Sequence, residues 1–379
     1  MTWRLPPWDF PVSERPFDDD KILDAGIALV EKFASLGVEC EVQDISVGPS
    51  TTIYELRAGP KTTMREFRRL DRAQDLAYEL GAASVRIQTP IPGRRVVGVE
   101  VGSQNRRPVV LGDVLQAASA PLTAALGLTD AGPLGLALNE CPHTLLAGRS
   151  GAGKSNLLHG ILASLLVCST PDDLRLILVD TKMTELVKWA GIPHLLGEPL
   201  TNVNRALDGF DWLCMAMEER YEEIASMGCS DIAEYNATRS LLKLSTMPYY
   251  LLVCDELADA MMMAAGELES YVVRLGQKGR AAGVHLLLAT QSPRAQVCSG
   301  LIKANMGAKI ALRTGTALDS RVILDQNGAE SLLGKGDGLF DDGSSGQLQR
   351  FQAPLIAPET IREITGWWKA QVREEVAAA

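Results

Sequence analysis

The stretch GRSGAGKS, from Gly148 to Ser155, fits the spacing G-x-x-x-x-G-K-[ST] at every position. Residues of these types at this spacing can hold phosphate. Gly148, Gly151 and Gly153 let the backbone curl until its N–H groups point inward, at the positive end of the helix that follows. Arg149, Ser150 and Ala152 complete the same nucleotide-binding loop. Lys154 then reaches the β- and γ-phosphates, and the Ser155 hydroxyl is a ligand for Mg²⁺. A glycine-rich turn without a ligand is the competing reading. The context weighs against it: an apolar strand precedes the loop, and a helix with Leu157, Leu158, Ile161, Leu162 and Leu165 on one face follows it.

Two more stretches complete a hydrolytic set. YYLLVCDE places Asp255 and Glu256 at the end of an apolar strand, downstream of the loop. There Asp255 orients Mg²⁺ through its water shell, and Glu256 polarises the attacking water as general base. One strand later HLLLATQ ends in Thr290 and Gln291, where a group sensing the γ-phosphate would sit; a plain cap on the strand end is the alternative for Gln291. ATP and Mg²⁺ are therefore the expected cofactors. Lys154, Asp255, Glu256 and Gln291 are the catalytic candidates, with Ser155 and Asp255 on the metal. The four histidines, His143, His159, His194 and His285, show no metal-ligand spacing.

These residues need a scaffold, and the chain has its rhythm. From about Leu122 the short apolar runs HTLLAG, LRLILVD, YYLLVCD, VHLLLAT and KIALRT alternate with longer helical stretches. That alternation is the pattern of an α/β domain, a mainly parallel sheet with helices on both faces, here spanning residues 122–379. Residues 20–112 read as a smaller α+β domain. An amphipathic helix in DDDKILDAGIALVEKFASLG stops at Gly37, and VECEVQDISVG and TTIYELRAG are strands. TTMREFRRLDRAQDLAYELG is a helix closed by Gly81, and SVRIQTPIPGRRVVGVEVG holds two strands around a Pro-Gly turn. Residues 113–121 are the expected junction. Residues 1–19, with several prolines near Trp3 and Trp8, form an extended arm, either docked on a neighbouring surface or frayed.

Composition narrows the setting. A chain of 379 residues exceeds the ~100–200 usual for one domain. Seven cysteines, an odd number without a C-x-x-C pair, exclude a disulfide-stapled secreted scaffold. No run approaches the ~18–20 apolar residues of a membrane span, and the first residues lack the hydrophobic region of a signal peptide. The expectation is a cytoplasmic protein without a membrane segment of its own. A net charge of −10 argues against a surface that attracts nucleic acid everywhere. The charge is segregated, however. Between Val272 and Arg321 stand eight cations, Arg274, Lys278, Arg280, Arg294, Lys303, Lys309, Arg313 and Arg321, against the single anion Asp319.

Several longer stretches have no generic purpose around a phosphate loop: LVDTKMTELVKWAGIPHLL, AMEERYEEIASMG, YYLLVCDELADAMM, LGQKGRAAGVHLLLATQSP, GLIKANMGAKIALR and LDSRVILDQNGAESLLGKGDGLF. With PHTLLAGRSGAGKSNLL they make the chain resemble the FtsK/SpoIIIE family of hexameric double-stranded DNA translocases. The resemblance implies a RecA-like P-loop NTPase motor domain, with the smaller domain stacked on it as a second ring. It implies six subunits around duplex DNA and ATP held between neighbours. Arg280 in QKGRAAG then matches the arginine that reaches the neighbour's γ-phosphate. DNA-contacting loops begin at Thr290 and lie around Lys303 and Arg321, with Thr290, Arg294, Lys303 and Arg321 as the expected contacts, gripping backbone phosphates without reading sequence.

Three positions depart from the family pattern. Ser292 stands where arginine is usual, so Arg294 is expected to compensate. Ala317 replaces a lysine that in many members reaches the neighbour's nucleotide, and Thr181 replaces a proline, with Lys182 and Glu185 retained. The closing stretch ETIREITGWWKAQVREEVAAA is too short for the family's winged helix. A stand-alone motor targeted by a partner protein is the expectation. The competing functions are a protein-export motor of the type VII secretion kind and a nucleotide-gated scaffold without turnover.

Overall fold

Two sheets of different construction carry the protein. The computed structural model describes residues 3–7, 10–13, 19–60, 62–63, 66–67, 73–88, 95–103, 108–344 and 346–378. In the smaller N-terminal domain, helix α1 (Asp19–Ser35) leads into strands β1 (Cys40–Val47) and β2 (Thr51–Ala58). Helix α2 (Ala73–Glu79) and strands β3 (Val85–Gln88) and β4 (Val97–Gly102) follow. The strands form an antiparallel sheet in the order β1-β2-β4-β3. Leu29 and Phe33 of α1 pack with Tyr54, Leu56, Val97 and Val99 from the sheet. Gly37, at φ 80°, ends the helical run where the sequence places the stop. The expected Pro-Gly turn, and the middle of the expected helix before Gly81, lie outside the described residues.

The second sheet has nine strands. After α3 (Leu111–Val114) come β5 (Thr123–Leu128), β6 (Pro133–Ala137), β7 (His143–Ala147), α4 (Lys154–Cys168) and β8 (Leu174–Val179). Next are α5 (Val203–Ser226), α6 (Ile232–Leu241), β9 (Tyr249–Cys254), α7 (Leu257–Lys278) and β10 (Val284–Thr290). The chain closes with α8 (Gly300–Asn305), β11 (Ala308–Leu312), α9 (Ala317–Leu324), β12 (Asp337–Asp341), β13 (Gln349–Gln352) and α10 (Pro358–Ala378). The order is β6-β5-β13-β12-β11-β7-β10-β9-β8.

The five strands legible in the sequence, β7 to β11, are mutually parallel, and the other four extend the sheet antiparallel. Parallel strands share one C-terminal edge. The segments that leave β7, β8, β9 and β10 therefore emerge side by side, which is where open α/β sheets bind ligands.

Helix α4 departs from its expected single buried face, since 13 of its 15 residues are buried. Its far side is covered by α10 and β5. The Trp368 indole N–H donates to the Leu166 carbonyl at 3.0 Å, and the Ala125 N–H donates to Ser164 Oγ at 2.9 Å. The N-terminal arm adds a further layer. Trp3 packs edge-on against Trp368, and the Arg4 N–H donates to Gln371 Oε1 at 2.9 Å. The indole of Trp367 and the amide of Gln371 both donate to the Arg4 carbonyl. The described part of the arm is thus docked.

The expected junction is also part of the fold. Val114, Leu115 and Ala118 are buried in the same core as α4. Among the described residues no helix is long and apolar enough to cross a membrane.

Candidate active site

Strand β7 ends at Ala147, and the chain curls through residues 148–153 into α4. Gly151 and Gly153 have φ of 77° and 110°, left-handed conformations that glycine adopts without steric cost. At Gly153 space forbids a side chain as well, because a Cβ would stand 2.5 Å from the Gly336 amide nitrogen. The loop is braced on two sides. Gly336 N–H donates to the Ala152 carbonyl at 2.7 Å, and Arg149 N–H donates to the Arg313 carbonyl at 2.9 Å. Its crest, Arg149 to Gly151, is exposed.

Lys154 and Asp255 form a buried pair. The Lys154 ammonium lies 2.5 Å from Asp255 Oδ1 and also donates to the Asp255 backbone carbonyl. Both residues are under 5% exposed. The half-buried Ser155 follows in the chain. A serine hydroxyl and an aspartate carboxylate are hard oxygen donors, and Mg²⁺ takes few such protein ligands, completing its shell with water and substrate phosphate. Ser155 and Asp255 as donors therefore suit Mg²⁺ arriving with a nucleotide.

Glu256 is the better-held carboxylate. It lies at the entry to α7, 5% exposed, and adjacent parallel strands β9 and β10 bring Thr290 and Gln291 beside it. Glu256 Oε1 accepts from the Thr290 hydroxyl at 2.7 Å. The Gln291 N–H donates to both carboxylate oxygens, at 3.2 and 3.3 Å, and the Lys182 ammonium stands 3.3 Å from Oε2.

Lys182 comes from the loop after β8, which Asp180 folds by accepting the backbone N–H groups of Thr184, Glu185, Leu186 and Val187. Desolvation opposes the charge of Lys182, but Glu256, with Asp259 and Asp255, outweighs it and raises its pKa. Thr181, at the family's proline position, donates to Asp259 Oδ2 at 2.5 Å. Behind the loop, His159 of α4 accepts the Trp189 indole N–H at Nδ1 and meets Glu185 at 3.1 Å through Nε2. Burial lowers the His159 pKa, the carboxylate of Glu185 acting against that. The roles of Lys182 and Asp180 were not assigned from sequence; the retained lysine in VDTKMTEL was the available signal.

Other expected residues stand apart from this cluster. Arg280 is exposed and follows α7, a 22-residue helix kinked at Ala264, whose other end starts at Glu256. It lies near the start of β10, at the opposite edge of the sheet, and does not serve its own loop. Lys278 and Arg274 pair with Glu218, at 3.3 and 3.6 Å.

The expectation that Thr290 touches DNA is corrected. The residue is fully buried and its hydroxyl is committed to Glu256, so it belongs to the cluster around that carboxylate. Gln291 engages that cluster through its backbone N–H. Arg294 is exposed just beyond. Lys303 pairs with Asp325 at 2.6 Å, and Lys309 shares that carboxylate at 3.1 Å, leaving one positive charge in excess. Arg321 is exposed one turn before Asp325, its Nε–H donating to the Ala317 carbonyl at 3.3 Å.

Residues 107–295, which hold the phosphate loop, the Asp255–Glu256 pair and Thr290, match the model of the FtsK/SpoIIIE family, and residues 9–103 match that of the FtsK alpha domain. The chain belongs to the FtsK/SpoIIIE family. The alpha-domain match falls on the four-stranded sheet. Proteins called DNA translocase FtsK from Streptomyces avermitilis and Helicobacter pylori are 41% identical over 315 residues and 40% identical over 314. These alignments cover 79% and 81% of the chain but 35% and 37% of the relatives. The chain thus spans about a third of the length of the curated relatives it matches.

Among solved structures, the pCW3 conjugation coupling protein TcpA shares the fold with a TM-score of 0.57 at 22% identity, over 90% of this chain and 99% of that one. The cytoplasmic domain of the Thermomonospora curvata type VII secretion ATPase EccC gives a TM-score of 0.57 at 27% identity, over 65% of this chain and 30% of that one. The fold is that of P-loop ATPase motor domains, with a smaller N-terminal domain attached.

Proposed function

We propose that the chain is the motor of an ATP-driven double-stranded DNA translocase, working as a hexameric ring that hydrolyses ATP at subunit interfaces and passes duplex DNA through its pore. The observation that carries the proposal is the convergence of Lys154, Asp255, Glu256 and Thr290 on one sheet edge, in a member of this family. Bound ATP with Mg²⁺ supplies the γ-phosphoryl group as electrophile. The amides of residues 148–153 and the Lys154 ammonium hold the phosphates, while Ser155 and Asp255 hold the metal. Glu256 orients the attacking water and takes up its proton, and Thr290, Gln291 and Lys182 keep that carboxylate in place.

Arg280, remote from its own loop, is offered to a neighbour's nucleotide, where a guanidinium offsets the charge of the transition state. Arg294, Lys303 and Arg321 grip DNA phosphates, which gives affinity without sequence preference. Arg294 is the foremost of these, since it is exposed three residues beyond Gln291. Action in the cytoplasm, with targeting supplied by a partner protein, completes the reading.

The test is ATP turnover with and without long linear duplex DNA. Strong stimulation, abolished in Lys154→Ala, is expected; no stimulation in the assembled protein overturns the reading. Similarity to EccC at 27% identity keeps a protein-export motor as the second reading, for which stimulation by a substrate peptide in place of DNA is the signature. A nucleotide-gated scaffold would bind ATP without turning it over.

A further inference from the structure

The smaller domain meets the motor domain through buried polar side chains that the chemistry above leaves unused. Arg350 of β13 lies between Glu100 of β4 and Asp337 of β12. Its Nη1–H donates to Glu100 Oε2 at 2.8 Å, and its Nε–H and Nη2–H donate to the two Asp337 oxygens at 3.0 and 2.8 Å. Glu100 and Asp337 are buried and Arg350 is largely covered, and Arg86 of β3 donates to the second Glu100 oxygen at 3.3 Å. Desolvation opposes the charge on Arg350, yet Asp337 and Glu100 outweigh it and raise its pKa further. Two residues along β13, on the same face, Gln352 accepts from the Ser50 hydroxyl of the smaller domain at 2.5 Å. Its amide donates to the carbonyls of Lys335 and Ala353, at 2.9 and 3.3 Å.

Both side chains end on a single turn. Asp337 also accepts the Leu333 N–H at 2.7 Å, closing a turn in which Gly334, Lys335 and Gly336 all have positive φ, of 76°, 54° and 89°. That turn braces the phosphate loop: Gly336 N–H donates to the Ala152 carbonyl, and its nitrogen occupies the space a Cβ on Gly153 would need. A continuous set of contacts therefore runs from Glu100 and Ser50, through Arg350 and Gln352, to the backbone at Ala152 and Gly153. Apolar packing would join two domains at least as stably as a buried ionic set. What the ionic set adds is a fixed seat, because a planar guanidinium clamped by two carboxylates tolerates little sliding.

We propose that Glu100 and Ser50 are positioning residues for the phosphate loop, so that the seating of the smaller domain sets the affinity of the motor domain for nucleotide. By linkage, nucleotide binding tightens the seating of the smaller domain in return. The inference rests on the reading of residues 148–155 as an ATP site.

The experiment is equilibrium titration of the full chain with a fluorescent ATP analogue and Mg²⁺, alongside KM and kcat for ATP hydrolysis and thermal melts. It compares wild type, Glu100→Gln and Ser50→Ala. Failure of the wild type to bind nucleotide overturns the ATP site itself, independently of the variants. With wild-type binding in hand, Glu100→Gln is expected to raise Kd and KM about 5- to 20-fold while kcat at saturating ATP stays within about twofold. Ser50→Ala, which leaves Arg350 fully paired, is expected to move Kd the same way by a smaller factor. A purely structural contact would lower the melting temperature and leave the Kd of the folded protein unchanged, and that outcome overturns the proposal. Should Glu100→Gln fail to fold, Ser50→Ala decides by the same criterion.

Discussion

Replacing Thr290 by valine removes one hydroxyl at nearly constant volume. That hydroxyl makes the shortest contact on the Glu256 carboxylate, 2.7 Å, from a fully buried residue. The Gln291 N–H is longer at 3.2 and 3.3 Å, and the Lys182 contact at 3.3 Å comes from an ammonium that is nearly half exposed and screened by solvent. Thr290 is therefore the main group orienting the proposed base. A hydrogen bond to a charged group contributes about 1.5–3 kcal/mol, which corresponds to ~10- to 150-fold in rate if it is lost in the transition state. Nucleotide affinity should hold, because the tie between this residue and the loop is backbone to backbone, Gly148 N–H to the Thr290 carbonyl at 3.3 Å. The assay is DNA-stimulated ATP turnover beside titration with a fluorescent ATP analogue. Turnover in Thr290→Val should fall by the factor above at unchanged Kd, and Thr290→Ser should recover most of it. Wild-type turnover in the valine variant, or a lost Kd in place of a lost kcat, refutes the reasoning.

Three other outcomes follow from the same geometry. Lys154→Met leaves the Asp255 carboxylate buried and uncompensated, which should destabilise the fold by about 3–5 kcal/mol in chemical denaturation. The double variant Lys154→Met/Asp255→Asn should regain stability without regaining turnover; equal stabilities of the single and double variants would count against the pair. Burial lowers the pKa of His143 to about 4 and of His194 and His285 to about 3, from 6.5. The unfolded chain then binds protons that the folded chain refuses. This contribution is complete above about pH 6.5 and is lost toward pH 4, at ~1.4 kcal/mol per pH unit for each histidine. Melting temperatures measured from pH 7 to pH 5 should fall steeply, and a flat profile excludes neutral burial of these rings. Finally, Arg280→Ala and Glu256→Gln proteins should each be inactive alone and regain DNA-stimulated turnover when mixed, as some interfaces then pair an intact arginine with an intact glutamate; no recovery removes Arg280 from the neighbour's site.

The phosphate loop, the five parallel strands and the Asp255–Glu256 pair were legible because each is local. A loop that needs glycine at two left-handed positions, followed at once by a lysine and a helix, carries its geometry in eight consecutive residues. Short apolar runs between helices identify parallel strands in the same way. The antiparallel strands β5, β6, β12 and β13 were not legible, since runs of four to six residues with glycine and polar positions give little periodic signal. Helix α4 showed one apolar face in sequence and proved buried nearly all round, because its second face is covered by Trp368, more than 200 residues away in the chain.

Thr290 shows the limit most directly. Its place before a basic segment suggested a DNA contact, yet the register of β10 on β9 turns its hydroxyl onto Glu256. Lys303 stands in a cationic stretch, but the fold brings Asp325 to it from 22 residues on. The sequence by itself determined the chemistry available to this protein: a phosphate loop, a pair of carboxylates and a segregated set of cations. Only the tertiary structure decided which groups act together. The partners that orient Glu256, brace Gly153 and lock Arg350 come from separate elements, and their distances depend on how the strands order and how the two domains seat.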